Sequence, residues 1–381
     1  MSRSNIGIYV HIPFCKSKCY YCDFTSYANK EEYIDEYIKC LNKEIEYGAK
    51  FSRIVTTIYI GGGTPSYIDE KHIESILLTI YKNYKVVDNA EVTIEVNPGT
   101  CTLKKLCAYR KMGINRLSIG LQSSNDKLLK EIGRIHNYSE YVKTVEYAKK
   151  AGFKNISTDI IIGLPNQTIY DVEDTINKLI DLKIKHISVY SLIVEENTKM
   201  YSLVNSKKLT LPDDEIERYM YWYAKRKLED NGFIHYEISN FALPGYMSIH
   251  NIDCWSQKRY YGFGVAASSF IDNTRFTNTN CIQTYIKNIE DNKFLSNRKI
   301  DEKLNNEDLQ KEYIMLGLRK VAGFNVYDFI KKYNVNPLKV YEKEFDKLFR
   351  ANLIEIDYES LNVKLSKKGL DLANIVWEEF V

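Results

Sequence analysis

His11–Phe24 reads HIPFCKSKCYYCDF, three cysteines within eight residues, and the positions that would extend the run carry Asp23 and Phe24 instead. Cys15, Cys19 and Cys22 follow the spacing CxxxCxxC. They come directly after IGIYVHI, an apolar run that predicts a β-strand, and before a stretch in which Tyr33, Tyr37, Ile38, Leu41 and Ile45 recur at helical spacing. Strand, cysteine loop and helix together make the opening of a βα unit. The fold then depends on whether that unit repeats.

It does. IVTTIYIGGG is rich in β-formers and ends in glycines, and a helical pattern follows through Ile73, Ile76, Leu77 and Ile80. Further strands are predicted at EVTIEV, INRLSIGL, NISTDIIIG and KHISVYSL, each separated by a segment of helix length. Six parallel strands with crossover helices predict an α/β fold, a partial (β/α)6 barrel. Chemistry in such folds gathers at the carboxyl ends of the strands. The cysteine loop, Gly61 to Thr64, Glu95, Gln122 and Asp159 all fall at or near such ends. From about Asn305 the texture changes to three helical segments, the hairpin NLIEIDYESLNVKLS and a last helix through Leu372 and Val376, which predicts a small winged-helix-like α+β module. The expected division is a barrel core over 1–235, an extension over 236–304 and the terminal module over 305–381.

Composition narrows the function. A chain of 381 residues with 44% hydrophobic side chains can fill one large core and a smaller one. Its 53 basic and 50 acidic side chains leave a net charge of +3, too balanced for a nucleic-acid or membrane-surface footprint. The terminal module holds 12 Lys and Arg against 13 Asp and Glu, so counterion release contributes little and duplex binding is not expected despite the winged-helix pattern. MSRSNIGIYV has no apolar stretch ahead of a cleavage site, and no run reaches the length of a membrane span, which predicts a cytoplasmic location. In that reducing compartment the eight cysteines do not read as a disulfide framework, and a group of three cannot pair off internally.

A metal site is therefore the leading reading of the loop. Three thiolates can hold three irons of a 4Fe-4S cube and leave the fourth iron open to a reactant. A zinc site completed by His11 or Asp23, and three unliganded thiols, are the other readings of the same residues. Cys40, Cys101, Cys107 and Cys281 are scattered and read as small apolar side chains. His72, His136, His186 and His235 lack ligand spacing.

With aromatic Tyr21 before the last cysteine, the motif resembles that of the radical S-adenosylmethionine (SAM) superfamily. Within it, YVHIPFC, IYIGGGTPS, EVTIEVNPG, LSIGLQSSN, DIIIGLPNQT and YEISNFA resemble the coproporphyrinogen dehydrogenase-like branch, from about Ile6 to about Val376. The resemblance implies a 4Fe-4S cluster on Cys15, Cys19 and Cys22 whose open iron chelates the amino and carboxylate groups of SAM. One electron would then cleave the sulfonium to methionine and a 5′-deoxyadenosyl radical. It further implies that Glu95 accepts hydrogen bonds from the SAM ribose and that Gln122, Arg134 and Asp159 match positions binding a second SAM. Gly61, Gly62, Gly63 and Thr64 would bring backbone N–H groups close to the ligand, and Tyr9 and Tyr21 would pack on the cofactor. The structural alternatives are a tight βα turn for the glycines, and for Glu95 or Asp159 a buried pairing with Arg116 or Arg134.

Two departures separate the chain from the dehydrogenase. That enzyme has a further cysteine where this sequence has Phe24, and a longer amino-terminal extension. The CDF ending and the start of the motif at residue 15 are similar instead to the HemW family of heme chaperones, soluble radical-SAM-like proteins that bind heme and pass it to apo-hemoproteins such as respiratory enzymes. The resemblance implies heme as ligand, an apo-hemoprotein as recipient and peripheral contact with membrane-bound respiratory proteins, and it leaves the oligomeric state open; the charge balance adds the expectation of no nucleic-acid partner. HNIDCW, His250 to Trp255, is similar to that family's HNxxYW pattern, with His250 the expected heme ligand and Cys254 in the place of tyrosine. A thiolate there could also ligate heme, and a structural histidine is the alternative. A heme chaperone is the leading expectation. An oxygen-independent coproporphyrinogen III dehydrogenase and a non-catalytic, cluster-stabilised scaffold are the alternatives.

Overall fold

The computed structural model describes residues 5–51 and 54–381. All six predicted strands are present: β1 (Asn5–Ile12), β2 (Ile54–Gly62), β3 (Lys85–Val96), β4 (Arg116–Gln122), β5 (Asn155–Ile162) and β6 (His186–Ser191). They lie side by side in chain order, and every neighbouring pair is parallel. Helices occupy the connections, and Thr102, Asn125, Asn137 and Thr168 start four of them by accepting a backbone N–H in the first turn.

Successive residues of a strand face opposite sides, and here the two sides differ in chemistry. Ile8, Val10, Ile58, Ile60, Ile94, Leu117 and Ile119 are fully buried in the main core, together with helix residues such as Leu41, Ile76, Leu106 and Ile176. The alternate positions are largely polar: Tyr9 and His11, Thr57 and Tyr59, Glu91 and Glu95, Arg116 and Ser118, Ser157 and Asp159, His186 and Ser188. These line the barrel lumen. Buried polar groups need partners, and the lumen supplies them, as where Ser157 meets His186 Nδ1 at 2.7 Å and His186 Nε2 meets the Tyr236 hydroxyl at 2.7 Å.

The sheet extends past both edges of the six strands. Tyr260–Phe263 adds a seventh parallel strand beside β1, followed by antiparallel Ser268–Ile271, Thr274–Asn278 and Arg298–Lys303. On the far side Asn240–Ala242 and Ile234–Glu237 pair antiparallel with β6 and with each other. All twelve strands form one sheet. The expected boundary after residue 235 falls inside strand Ile234–Glu237, and segment 236–304 continues the barrel sheet rather than forming a separate layer.

The terminal module has the expected order, with Asn306–Arg319, Val326–Tyr333 and Glu342–Arg350 helical, the hairpin Ile354–Asp357 and Asn362–Leu365, and a short third strand at Phe324–Asn325. It has its own core around Phe324, Phe329, Phe345 and Val363. Arg319 joins the two bodies: its guanidinium lies 4.2 Å from the Trp255 ring and 5.1 Å from the Trp377 ring, and 3.6 Å from buried Glu237. Trp222 Nε1 donates to Asp371 at 2.7 Å nearby. Arg319→Ala is expected to lower the unfolding free energy by about 2 kcal/mol, from two cation–π contacts and the loss of Glu237's counter-charge. The check is a lower urea midpoint at unchanged slope.

Candidate functional site

A cavity of about 480 Å³ opens at the carboxyl ends of the strands. The cysteine loop forms one wall. Phe14–Cys15 pairs with Tyr27–Ala28 to close the base of the loop, and His11 ties it to β1. The Thr25 carbonyl can only accept, so His11 Nε2–H donates to it at 2.9 Å, and His11 Nδ1 accepts from the Tyr9 hydroxyl at 3.0 Å. With both ring nitrogens engaged, His11 is not a fourth metal ligand. Asp23 stands exposed at the cavity mouth. Farther along, Tyr20 N–H donates to the Ile132 carbonyl at 3.0 Å, and Lys199 Nζ sits 3.6 Å from the Tyr20 ring centre.

Cys15, Cys19 and Cys22 all line the cavity, as do Tyr21, Glu95, Gln122, Arg134 and Asp159. Thr64 Oγ1 donates to Cys15 Sγ at 3.4 Å, and Arg134 Nη1 donates to Cys19 Sγ at 3.4 Å. Burial pushes the Cys15 and Cys22 thiols up. Tyr9 is set back from the cavity: its ring stacks on Tyr59 with centroids 6.2 Å apart, so Tyr59, not Tyr9, presents an aromatic face to the lumen.

The glycine run has a different use from the one expected. Gly62 N–H donates to Glu95 Oε2 at 3.1 Å, Gly63 N–H to the Ile12 carbonyl at 2.8 Å and Thr64 N–H to the Phe14 carbonyl at 2.9 Å. These amides are engaged within the protein and do not point at a ligand. What the run supplies is missing side chains. A Cβ on Gly62, where φ is +117°, would lie 2.7 Å from the His11 ring, and one on Gly63 would lie 3.0 Å from Cys15 Sγ.

Glu95 accepts from the Tyr59 hydroxyl at 2.9 Å on one oxygen and from Gly62 on the other. Burial raises its carboxyl to about 7, with the Asp159 charge adding to the shift and Arg116 opposing it. Asp159 is likewise held above the carboxylate range by burial, and it accepts from Ser118 at 3.3 Å. Arg116, 2% exposed, lies in the lumen with both carboxylates, and its Nε has no hydrogen-bond partner. Gln122 sits at a bulge in β4 with φ +74°, an uncommon conformation for a side-chain-bearing residue and one that collects at functional sites. Arg134 Nη2 donates to Asn97 at 2.8 Å and to the Gly120 carbonyl at 2.6 Å. Nη1 also donates to Cys19, and Nε is buried without a hydrogen-bond partner.

His250 lies elsewhere. It belongs to the short helix Ile249–Trp255, which closes the opposite, amino-terminal end of the barrel. Glu91 holds the start of this helix by accepting from Ile249 N–H and His250 N–H, and His250 Nδ1 meets Thr57 Oγ1 at 2.9 Å. The ring packs 5.2 Å from Tyr59. An imidazole enclosed in this way packs at the floor of the barrel and does not line the cavity that holds the cysteines. Burial pushes the Cys254 thiol up to about 12. Trp255 packs under Arg319, and only Asn251 of the motif reaches the cavity.

Comparison with known proteins agrees with this layout. Residues 9–179 match the Radical SAM superfamily model, a span that holds all three cysteines and Glu95, Gln122, Arg134 and Asp159, but not His250. The chain is 36% identical to a protein of Lactococcus lactis named heme chaperone HemW, covering 98% of this chain and 96% of that one. It is 38% identical to the Bacillus subtilis protein of the same name, covering 98% of both. The chain belongs to the HemW family. Its fold is also that of the solved coproporphyrinogen III oxidase (HemN) of Escherichia coli, a radical SAM enzyme, with a TM-score of 0.86 at 22% identity over 99% of this chain and 90% of that one. Membership in the HemW family agrees with Phe24, which stands 66% exposed and lines the cavity together with Ile193.

The superfamily implies a 4Fe-4S cluster and SAM, and the residues fit them. Among the described residues no three Cys, His, Asp or Glu side chains converge as a single-ion site. A four-iron cube takes each thiolate at a separate corner, and three cysteines on one wall of one cavity meet that need. Thr64 and Arg134 aim donors at two of the sulfurs, as suits thiolate ligands, and Gly63 leaves the room beside Cys15 that a side chain would fill.

Proposed function

We propose that the protein is a heme chaperone of the HemW type, which binds heme and delivers it to apo-hemoproteins. Similarity to heme chaperones HemW over nearly the whole chain carries this reading. Cys15, Cys19 and Cys22 would hold the cluster, and Glu95, beside the glycine run, would receive the SAM ribose. When bound, the cluster and SAM supply one-electron chemistry at the open iron. The chain's own contribution is a polar lumen closed at the bottom by His250 and Glu91. For heme, Phe24 and Ile193, 66% and 68% exposed, offer apolar contact on the cavity wall. We place the protein in the cytoplasm, with peripheral contact to membrane-bound respiratory recipients. No helix among the described residues is long and apolar enough to cross a membrane.

The fold shared with coproporphyrinogen III oxidase favours a second reading, the oxidative decarboxylation of coproporphyrinogen. One pair of experiments separates them. Titrating the reconstituted protein with heme is expected to give a saturable change in the Soret band. Anaerobic incubation with SAM, reductant and coproporphyrinogen is expected to give no protoporphyrinogen. Robust turnover, or no spectral response to heme, would reject the chaperone reading.

A further inference from the structure

A run of hydrogen bonds joins two of the three cysteines through the protein. Arg134 Nη1 donates to Cys19 Sγ, and Nη2 of the same guanidinium donates to Asn97 Oδ1. Asn97 Nδ2 donates to Thr64 Oγ1 at 2.9 Å, and Thr64 Oγ1 donates to Cys15 Sγ. The polarity of this run is forced. A guanidinium only donates, so the Asn97 oxygen must face it and the amide nitrogen must face Thr64. The threonine oxygen then accepts, and its single proton is left for Cys15. Both ends of the run therefore deliver a donor to sulfur. Cys22 has a weaker neighbour, Ser26 Oγ at 4.0 Å.

We propose that Asn97 is a positioning residue that fixes the hydrogen bonds received by Cys15 and Cys19 and so raises the reduction potential of the cluster. This inference rests on the cluster reading above. A hydrogen bond to a ligating thiolate draws electron density from its iron and favours the reduced cluster. Asn97 contacts neither sulfur. It acts by orienting the two groups that do, from the asparagine that directly follows β3.

The test is a redox titration of the full, anaerobically reconstituted chain, followed by the electron paramagnetic resonance of the reduced cluster, with iron content measured alongside. In Asn97→Asp the carboxylate still accepts from Arg134 but cannot donate to Thr64, so the threonine proton turns toward it and away from Cys15. Thr64→Val removes that donor without adding charge, and Thr64→Ser restores it. Asn97→Asp and Thr64→Val are expected to shift the reduction equilibrium toward the oxidised cluster by about tenfold, or about 59 mV for one electron. Iron content should hold, and Thr64→Ser should match the parent. Equal potentials at full iron content, or a Thr64→Ser potential as low as that of Thr64→Val, would overturn the proposal. If Asn97→Asp fails to assemble a cluster, the Thr64 pair decides. A parent protein that binds no cluster would instead reject the cluster reading, and the inference with it.

Discussion

Cys19→Ala, purified and reconstituted without oxygen, is expected to lose its bound iron and iron–sulfur absorbance to background, and Cys15→Ala and Cys22→Ala to do the same. Each thiolate would hold one corner of the cube, and His11, engaged on both nitrogens, is not free to replace one. Cys40→Ala, Cys254→Ala and Cys281→Ala are expected to keep full iron. None of these three lines the cavity. Cys40 is buried against the Ile286 carbonyl, and Cys254 lies on the short helix Ile249–Trp255 with a thiol pushed up to about 12. Iron content per folded chain is the measurement. Loss of the cluster in Cys254→Ala would mean a fourth protein thiolate at the iron, and the open-iron argument would fail.

His250→Ala is expected to lower the unfolding free energy by about 3 kcal/mol at neutral pH, through the cavity left beneath Tyr59 and the partner lost to Thr57. Its pH dependence is diagnostic. Burial, with Arg116 contributing, lowers the imidazole to about 4. The native ring stays uncharged while the unfolded chain takes up a proton near 6.5, so its favourable contribution is present above about pH 6.5 and is lost as the pH falls toward 4. His250→Gln removes this titration. Between those limits the parent is expected to lose roughly 3 kcal/mol more than His250→Gln, read from urea unfolding of both proteins across the range. Parallel profiles, together with weakened heme binding, would return His250 to the role of heme ligand.

The six barrel strands were legible because each is an apolar run rich in β-formers and followed by a segment of helix length, and the cysteine loop because its spacing is local. What was not legible depends on register. Tyr59 is one tyrosine among 31 in the sequence, and its place beside Glu95 follows only once β2 pairs with β3. Asn97 directly follows β3, and nothing in its local sequence shows that Thr64 and Arg134, 33 and 37 residues away, converge on it. The glycine run was legible as a close approach, but the atoms approached are Glu95, His11 and Cys15. The burial of His250 was not legible because a motif records neighbours along the chain, and a seven-residue helix can present its histidine to either side.

The seventh parallel strand has a consequence for how the protein is made. β1 carries the cysteine loop at its end, and it lies between β2 and Tyr260–Phe263. On the ribosome, one edge of β1 gains its partner early, while the other waits for roughly 250 more residues, about 12 to 50 s at ordinary rates of synthesis. Through that interval the nascent chain shows a bare strand edge, with unpaired N–H and C=O groups, next to three thiols. Such an edge is a site for pairing with the wrong chain, and the thiols beside it are open to oxidants. Slowing translation between β6 and Tyr260 should therefore raise the fraction of protein recovered aggregated and without iron.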